Sequence, residues 1–360
     1  MFAPTRYIVW AIEHYGKVAY DLAASGIPLV NADDFGPTPD LFDSNGYVAL
    51  REAIAKYNDL PRPEVVAALG TTQALFLAYA SILVPGDEVL VEHPGYEPLT
   101  RTAEGLGAIV RTFERRREDG YRVDPDRVAA AMSPRTRLVV VTDHHNPTGV
   151  RVGTETILEL ARIAEAQGAY VLVDEVYAPF EALPDDGIFR SSARKLAPNI
   201  LAIGSLTKCY GLGMFRVGWL LGPASVIARA EDSQVAASGH LPLSHACLGA
   251  AAFGAVPRLA ARAKRLTDGK RALAEAWVAR HPQLRWSAPA SGLFGFVTVD
   301  GAGDLRPTIE ACLDKNGVLV GPGTFFGAPD GFRLSWATCD PSRFEEGLAR
   351  LGPVIGRESP

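Results

Sequence analysis

A chain of 360 residues, 48% of them hydrophobic, can bury one large core and a smaller second one, which excludes a disordered or fibrous polymer. The formal charge of −5, with no long basic run, gives no electrostatic footprint for nucleic acid; Arg115, Arg116 and Arg117 are followed at once by Glu118 and Asp119 and read as a solvated surface turn. Four cysteines, at 209, 247, 312 and 339, form no CxxC pair and are expected to be reduced thiols.

The first apolar run, residues 7–12, is cut by Glu13 and His14 and has no small-residue cleavage site behind it. No secretory signal is expected, and the cytoplasm is the expected location. Residues 65–85 carry no charge and are nearly long enough to span a bilayer. Gly70, Thr71, Thr72 and Gln73 interrupt them, so a buried helix preceded by a loop is predicted, with no membrane association. Five β-branched runs follow at 88–92, 138–142, 169–173, 200–205 and 217–221, each too uniformly apolar for an edge strand with one wet face. Between the second and third, Thr156 and Glu159 suggest a capping box, Leu160, Ile163 and Ala164 an apolar face, and Gly168 a stop. This is a βαβ unit, and the whole predicts an α/β fold around a mostly parallel, doubly covered sheet. After about residue 255 the pattern changes to a long charged helix over 258–280 and hairpin-like pieces at 291–300 and 317–334. The expected domains are a large α/β unit over 31–254 and a smaller α+β unit made of 1–30 plus 255–360.

In open parallel sheets ligands sit beyond the carboxyl ends of the strands, so the residues after each run carry the chemistry. After the second run comes Asp143-His144-His145-Asn146-Pro147-Thr148-Gly149, after the third Asp174-Glu175-Val176-Tyr177, and after the fourth Ser205-Leu206-Thr207-Lys208, with Arg216 eight residues on. This order of Asn-Pro-Thr-Gly, Asp-Glu-Val-Tyr, Ser-x-x-Lys and Arg resembles the fold-type I, class I/II aminotransferases, over nearly the whole chain from Gly26 to Arg333.

The resemblance implies pyridoxal phosphate as cofactor, and the cofactor's chemistry explains the residue types. Its aldehyde needs an amine: Lys208 would form the Schiff base and, once substrate displaces it, shuttle the α-proton. Its ring nitrogen must stay protonated, which a buried carboxylate at Asp174 favours. Its phenolate oxygen would take hydrogen bonds from Asn146 and Tyr177. Its phosphate would lie on Gly70-Thr71-Thr72 at a helix N-terminus, with Ser205 and Arg216 completing the cradle. Tyr96 would stack on the ring, and Tyr57 would reach the phosphate of a neighbouring subunit, implying a homodimer with shared active sites. Arg333, with Asn146 and the backbone of Gly26, would bind the substrate carboxylate. Capping is the plain alternative for Thr71, Thr72 and Asp174, and ordinary core packing for Tyr96.

Gly211-x-Gly213 lacks a third glycine, since Arg216 stands there, and is not a nicotinamide fingerprint. The histidines show no metal-ligand spacing, and no metal is expected. Gly213-Met214 replaces the family's usual Pro-Gly. Residues 236–244 lack the arginine with which dicarboxylate-specific relatives bind a distal carboxylate; His240 could bind a polar side chain instead. The expected reaction moves an amino group from an L-amino acid to a 2-oxo acid. A lyase, decarboxylase or cyclase of the same fold is the alternative, and a sensor within a transcription regulator, which would need an added DNA-binding domain, is disfavoured.

Overall fold

The computed structural model describes residues 2–355. Its centre is a seven-stranded sheet in the order Val65–Leu69, Val217–Leu221, Ile200–Ser205, Tyr170–Asp174, Thr136–Thr142, Glu88–His93 and Ile109–Glu114. The last five run parallel to one another, and Val217–Leu221 is antiparallel to both of its neighbours. Successive side chains alternate faces. Leu138 and Val140 therefore pack with Leu77, Leu99 and Ile227 on one side. Val139 and Val141 pack with Ile157, Leu160 and Ala164 on the other.

The five apolar runs are all strands. The two edge strands escaped the sequence pattern for different reasons. In Ile109–Glu114 only Phe113 is buried, so no apolar run marks it. Val65–Leu69 is continuous with the apolar helix that follows, and the segment predicted as loop and helix is in fact strand and helix. The chain reverses at Gly70, whose φ of 74° opens the helix Gly70–Ile82.

The crossover helix is Thr154–Glu165, capped by Gly153 with no side-chain cap. Thr156 lies inside its first turn, so the predicted capping box does not form; Gly168, at φ 67°, ends the unit as expected. The charged stretch over 258–280 is two helices, Leu243–Thr267 and Lys270–Ala279, separated by Gly269 at φ 70°. The domain boundary expected after residue 254 thus falls within a continuous helix. Beyond it, Gly321–Pro322, Gly331–Ser335, Phe294–Val299 and Leu284–Trp286 form an antiparallel sheet. The start of the chain joins this part: Tyr20–Asp21 pairs with Val318–Leu319.

Arg115 corrects the surface-turn reading. It is 1% exposed, pairs with the buried Glu92 at 2.7 Å and donates to the Tyr121 carbonyl at 2.6 Å. Only its neighbours Arg116 and Arg117 lie on the surface. Glu92 in turn accepts from the Thr142 amide at 2.8 Å, so this ion pair braces two strand ends at the site. Among the described residues no helix is long and apolar enough to cross a membrane, and all four cysteines are free thiols.

Candidate active site

The parallel strands deliver their following residues to one edge of the sheet. Asp174 ends one strand, Ser205 ends the next, and Lys208 lies in the short helical turn Thr207–Tyr210. The Lys208 amine donates to Ser25 Oγ at 3.2 Å, and the Tyr177 hydroxyl donates to the same oxygen at 2.9 Å. Gly26 lies against the lysine: a Cβ there would sit 3.2 Å from Lys208 Cδ and 3.4 Å from its Cα. Burial, with Arg333 and Arg216 nearby, pushes the Lys208 amine down to about 8. A fraction is therefore neutral and nucleophilic near neutral pH.

Burial pushes the Asp174 carboxyl up to about 7, the nearby Glu92 adding to the rise while the Val176 amide and Lys208 oppose it. Its only hydrogen-bond donor among the described residues is that amide, at 3.1 Å, a cap-like contact to Oδ1 that leaves Oδ2 without a protein donor. Arg333 is fully buried. Its Nη1 donates to Asn146 Oδ1 at 2.7 Å; its Nη2 donates to the hydroxyls of Tyr7 at 2.7 Å and Tyr15 at 3.0 Å and to the Ala23 carbonyl at 2.8 Å. Burial alone would lower this guanidinium, but Tyr7, Tyr15 and Tyr177 around it hold it above its ordinary value. With its carbonyl occupied by Arg333, Asn146 has only Nδ2 to offer a phenolate. Tyr96 is half-buried, edge-on to Tyr7 with centroids 5.7 Å apart, and close enough to Asp174 and Tyr177 to feel their charges.

The residues fit pyridoxal phosphate on four observations. No side chain caps the helix Gly70–Ile82 among the described residues, so the first-turn amides at Gly70, Thr71 and Thr72 are free for an anion. Arg216 has no carboxylate partner among them, and its Nη2 lies 2.6 Å from where a Cβ on Gly70 would be. The Thr207 hydroxyl beside Ser205 is buried without a partner. So is Arg333 Nε, at the place expected for the substrate carboxylate. A phosphate and a carboxylate would satisfy all of these groups.

Tyr57 does not belong to this set, and the expectation that it reaches a neighbouring subunit is corrected. It is 1% exposed, packed among Phe189, Trp219 and Phe253 of its own chain, and shares a 2.8 Å hydrogen bond with the Tyr210 hydroxyl. Tyr57→Phe is expected to cost about 1 kcal/mol in chemical denaturation and to leave cofactor affinity unchanged; a tenfold loss of affinity would restore the phosphate role. His240 is exposed beside Tyr47 in a separate surface groove, away from Lys208. His145 is a core residue held by Thr148 and the Pro94 carbonyl. Sequence reading missed Ser25, Tyr7 and Tyr15; nothing in their local sequence marks them, because their role depends on contacts with residues 177, 208 and 333.

The family model described as "Aminotransferase class I and II" matches residues 19–351. Capreomycidine synthase of Streptomyces vinaceus is 30% identical over 96% of this chain and 92% of its own length. The arginine–pyruvate transaminase AruH of Pseudomonas aeruginosa is 31% identical over 88% of this chain and 78% of its own. A PLP-dependent aminotransferase from Streptococcus suis has the same fold, with a TM-score of 0.86 over 99% of this chain and 100% of the other at 23% identity. The chain belongs to the class I and II aminotransferases, fold-type I enzymes whose cofactor is pyridoxal phosphate.

Proposed function

We propose that this aminotransferase takes its amino group from an L-amino acid with a basic or neutral side chain, passes it to a 2-oxo acid, and works as a cytoplasmic homodimer. One observation supports the site assignment above all. Lys208, Asp174 and Arg333 are drawn to one place, and none has a salt-bridge partner within 4 Å among the described residues. Ionisable groups withdrawn from water without a charged partner are costly, and a ligand carrying an aldehyde, a ring cation and a carboxylate would complete all three.

When bound, pyridoxal phosphate supplies an aldehyde that condenses with amines and a protonated ring that takes up the electron pair of the substrate's Cα–H bond. Thr71, Thr72, Ser205 and Arg216 hold its phosphate. Asp174 would keep the proton on the ring nitrogen, and Asn146 Nδ2 would donate to the phenolate, joined by the Tyr177 hydroxyl once its single proton turns from Ser25 Oγ to the cofactor. Arg333, supported by Asn146 and the Gly26 backbone, orients the substrate carboxylate, and the neutral Lys208 amine moves the α-proton.

Beside Lys208 a cavity of about 630 Å³ is lined by Tyr15, Ser25, Asp21, Thr338, Asp340 and Arg343, among others. Apart from Lys208 it offers two carboxylates and one cation, which favours a basic or neutral side chain over a dicarboxylate. The similarity to AruH, named for arginine and pyruvate, supports the same choice. Adding amino acids one at a time, without any oxo acid, to the purified holoenzyme is expected to shift its absorbance from the aldehyde form of the cofactor to the amine form, with arginine-like donors ahead of aspartate. The similarity to a solved PLP-dependent cyclase, OrfR, 25% identical with a TM-score of 0.85 over 99% of this chain, supports a cyclase as the second reading. Catalytic product formation without any conversion to the amine form would establish it.

A further inference from the structure

Ser25 has no part in the roles above, yet it joins two of the residues that carry them. It is 2% exposed and lines the same cavity as Lys208. Its oxygen accepts from the Tyr177 hydroxyl at 2.9 Å and from the Lys208 amine at 3.2 Å, and it is the amine's only side-chain acceptor among the described residues. Both lone pairs of the hydroxyl are thereby used in this arrangement; when the Tyr177 proton turns to the phenolate, the Lys208 amine remains as donor to Ser25 Oγ, and the proton of Ser25 itself is available to the Tyr177 oxygen or to an acceptor that enters with substrate.

The backbone that carries Ser25 is tied to the lysine. Ile27 N donates to the Lys208 carbonyl at 2.9 Å, and Asp21 Oδ1 accepts from the amides of Ala23 and Ala24 at 2.9 Å each. With Gly26 pressed against Lys208, the hydroxyl cannot drift from the amine by more than a rotamer change. A lysine released from the cofactor swings on a four-carbon stem with many rotamers, and proton transfer needs it in one of them.

We propose that Ser25 is a positioning residue for proton transfer: it holds the free amine of Lys208 in one place beside Tyr177 while that amine takes up and releases the substrate's α-proton. As the Cα–H bond breaks, the proton would go to the neutral amine and the electron pair would be drawn towards the cofactor's ring; the resulting ammonium would then deliver the same proton to the cofactor's former aldehyde carbon, which leaves the cofactor in its amine form. Ser25 neither gains nor loses a proton. The inference rests on Lys208 being the reacting amine.

Ser25→Ala tests it in two ways. In the apoprotein, competitive trace labelling of Lys208 across pH, read by mass spectrometry, is expected to show the amine titrating about one pH unit lower, because the ammonium loses its acceptor. The other groups facing it, Arg333 and Arg216 lowering and Asp174 and Cys209 raising, are unchanged. In the holoenzyme, kcat is expected to fall about tenfold, KM for the donor to move less than about threefold, and the α-deuterium isotope effect to grow. An unchanged titration, or a fall in kcat with an unchanged isotope effect, overturns the proposal and leaves Ser25 as packing. Should Ser25→Ala not fold, Ser25→Cys, similar in size with a weak acceptor, gives the same readings. If the unmodified protein carries no borohydride-fixed cofactor on Lys208, it is the assignment of Lys208 that fails, and the apoprotein titration still reports on Ser25.

Discussion

Lys208→Ala is expected to carry no covalently attached cofactor after borohydride reduction and denaturation, and to transfer amino groups at least about 10⁴-fold more slowly than the parent. In the proposed mechanism one side chain supplies both the attachment point and the proton carrier, and among the described residues no other lysine lines the cavity beside it. Folding should be nearly unaffected, because the substitution removes one hydrogen bond, to Ser25, from a half-buried residue. Peptide mass spectrometry of the reduced protein checks the first part and single-turnover kinetics the second. Reduced cofactor still bound covalently to Lys208→Ala would show that another amine does this work.

Asp174→Asn is expected to slow transfer on the order of 10³-fold and, in the apoprotein, to stabilise. The ordinary value of this carboxyl is 3.8, and burial holds it near 7 in the folded chain. Between those values the folded apoprotein binds a proton that the unfolded chain has released. The cost of burying Asp174 is therefore absent below about pH 4, grows as pH rises, and is complete above about pH 7, where it reaches roughly 4 kcal/mol. Asparagine has no proton to lose. The apoprotein of Asp174→Asn should thus melt with the parent near pH 4 and well above it at pH 8; Glu175, pushed up to about 8 chiefly by burial and least by Asp174, contributes nearly equally to both. A melting difference independent of pH would mean that Asp174 is not held neutral in the apoprotein. This carboxylate is unfavourable to the empty fold and becomes useful only opposite a cation.

The sheet, and the residues proposed to hold the cofactor, were legible in the sequence because each is local. A uniformly apolar run followed by Asp174, or by Ser205 and Lys208, states its strand and its strand end together. The errors arose where meaning depends on distant contacts. Tyr57 and Tyr96 are both tyrosines near helices, and only the packing of Phe189, Trp219 and Phe253 around Tyr57 shows that it cannot leave its own core. Arg115 sits in an arginine triplet that looks solvated, and its buried partner Glu92 is 23 residues away. Ile109–Glu114 is a strand because Glu88–His93 pairs with it, not because its own side chains demand it. Ser25, Tyr7 and Tyr15 gain their roles from residues more than 150 positions later.

That last separation bears on how the enzyme is made. Every residue proposed to hold the cofactor within the described site falls between Gly70 and Arg216, whereas the proposed substrate grip joins Tyr7 to Arg333, 326 residues apart. Closing a loop of that length costs about 5 kcal/mol of chain entropy if nothing shorter is closed first. On the ribosome Tyr7 can meet Tyr96 and Glu97 early, but it meets Arg333 only when almost the whole polypeptide has emerged, so the substrate grip must wait while the central sheet forms from nearer contacts. The order of synthesis therefore separates two competences: a nascent chain released after its central sheet would retain the groups that hold the cofactor, and only one translated through Arg333 could grip an amino acid.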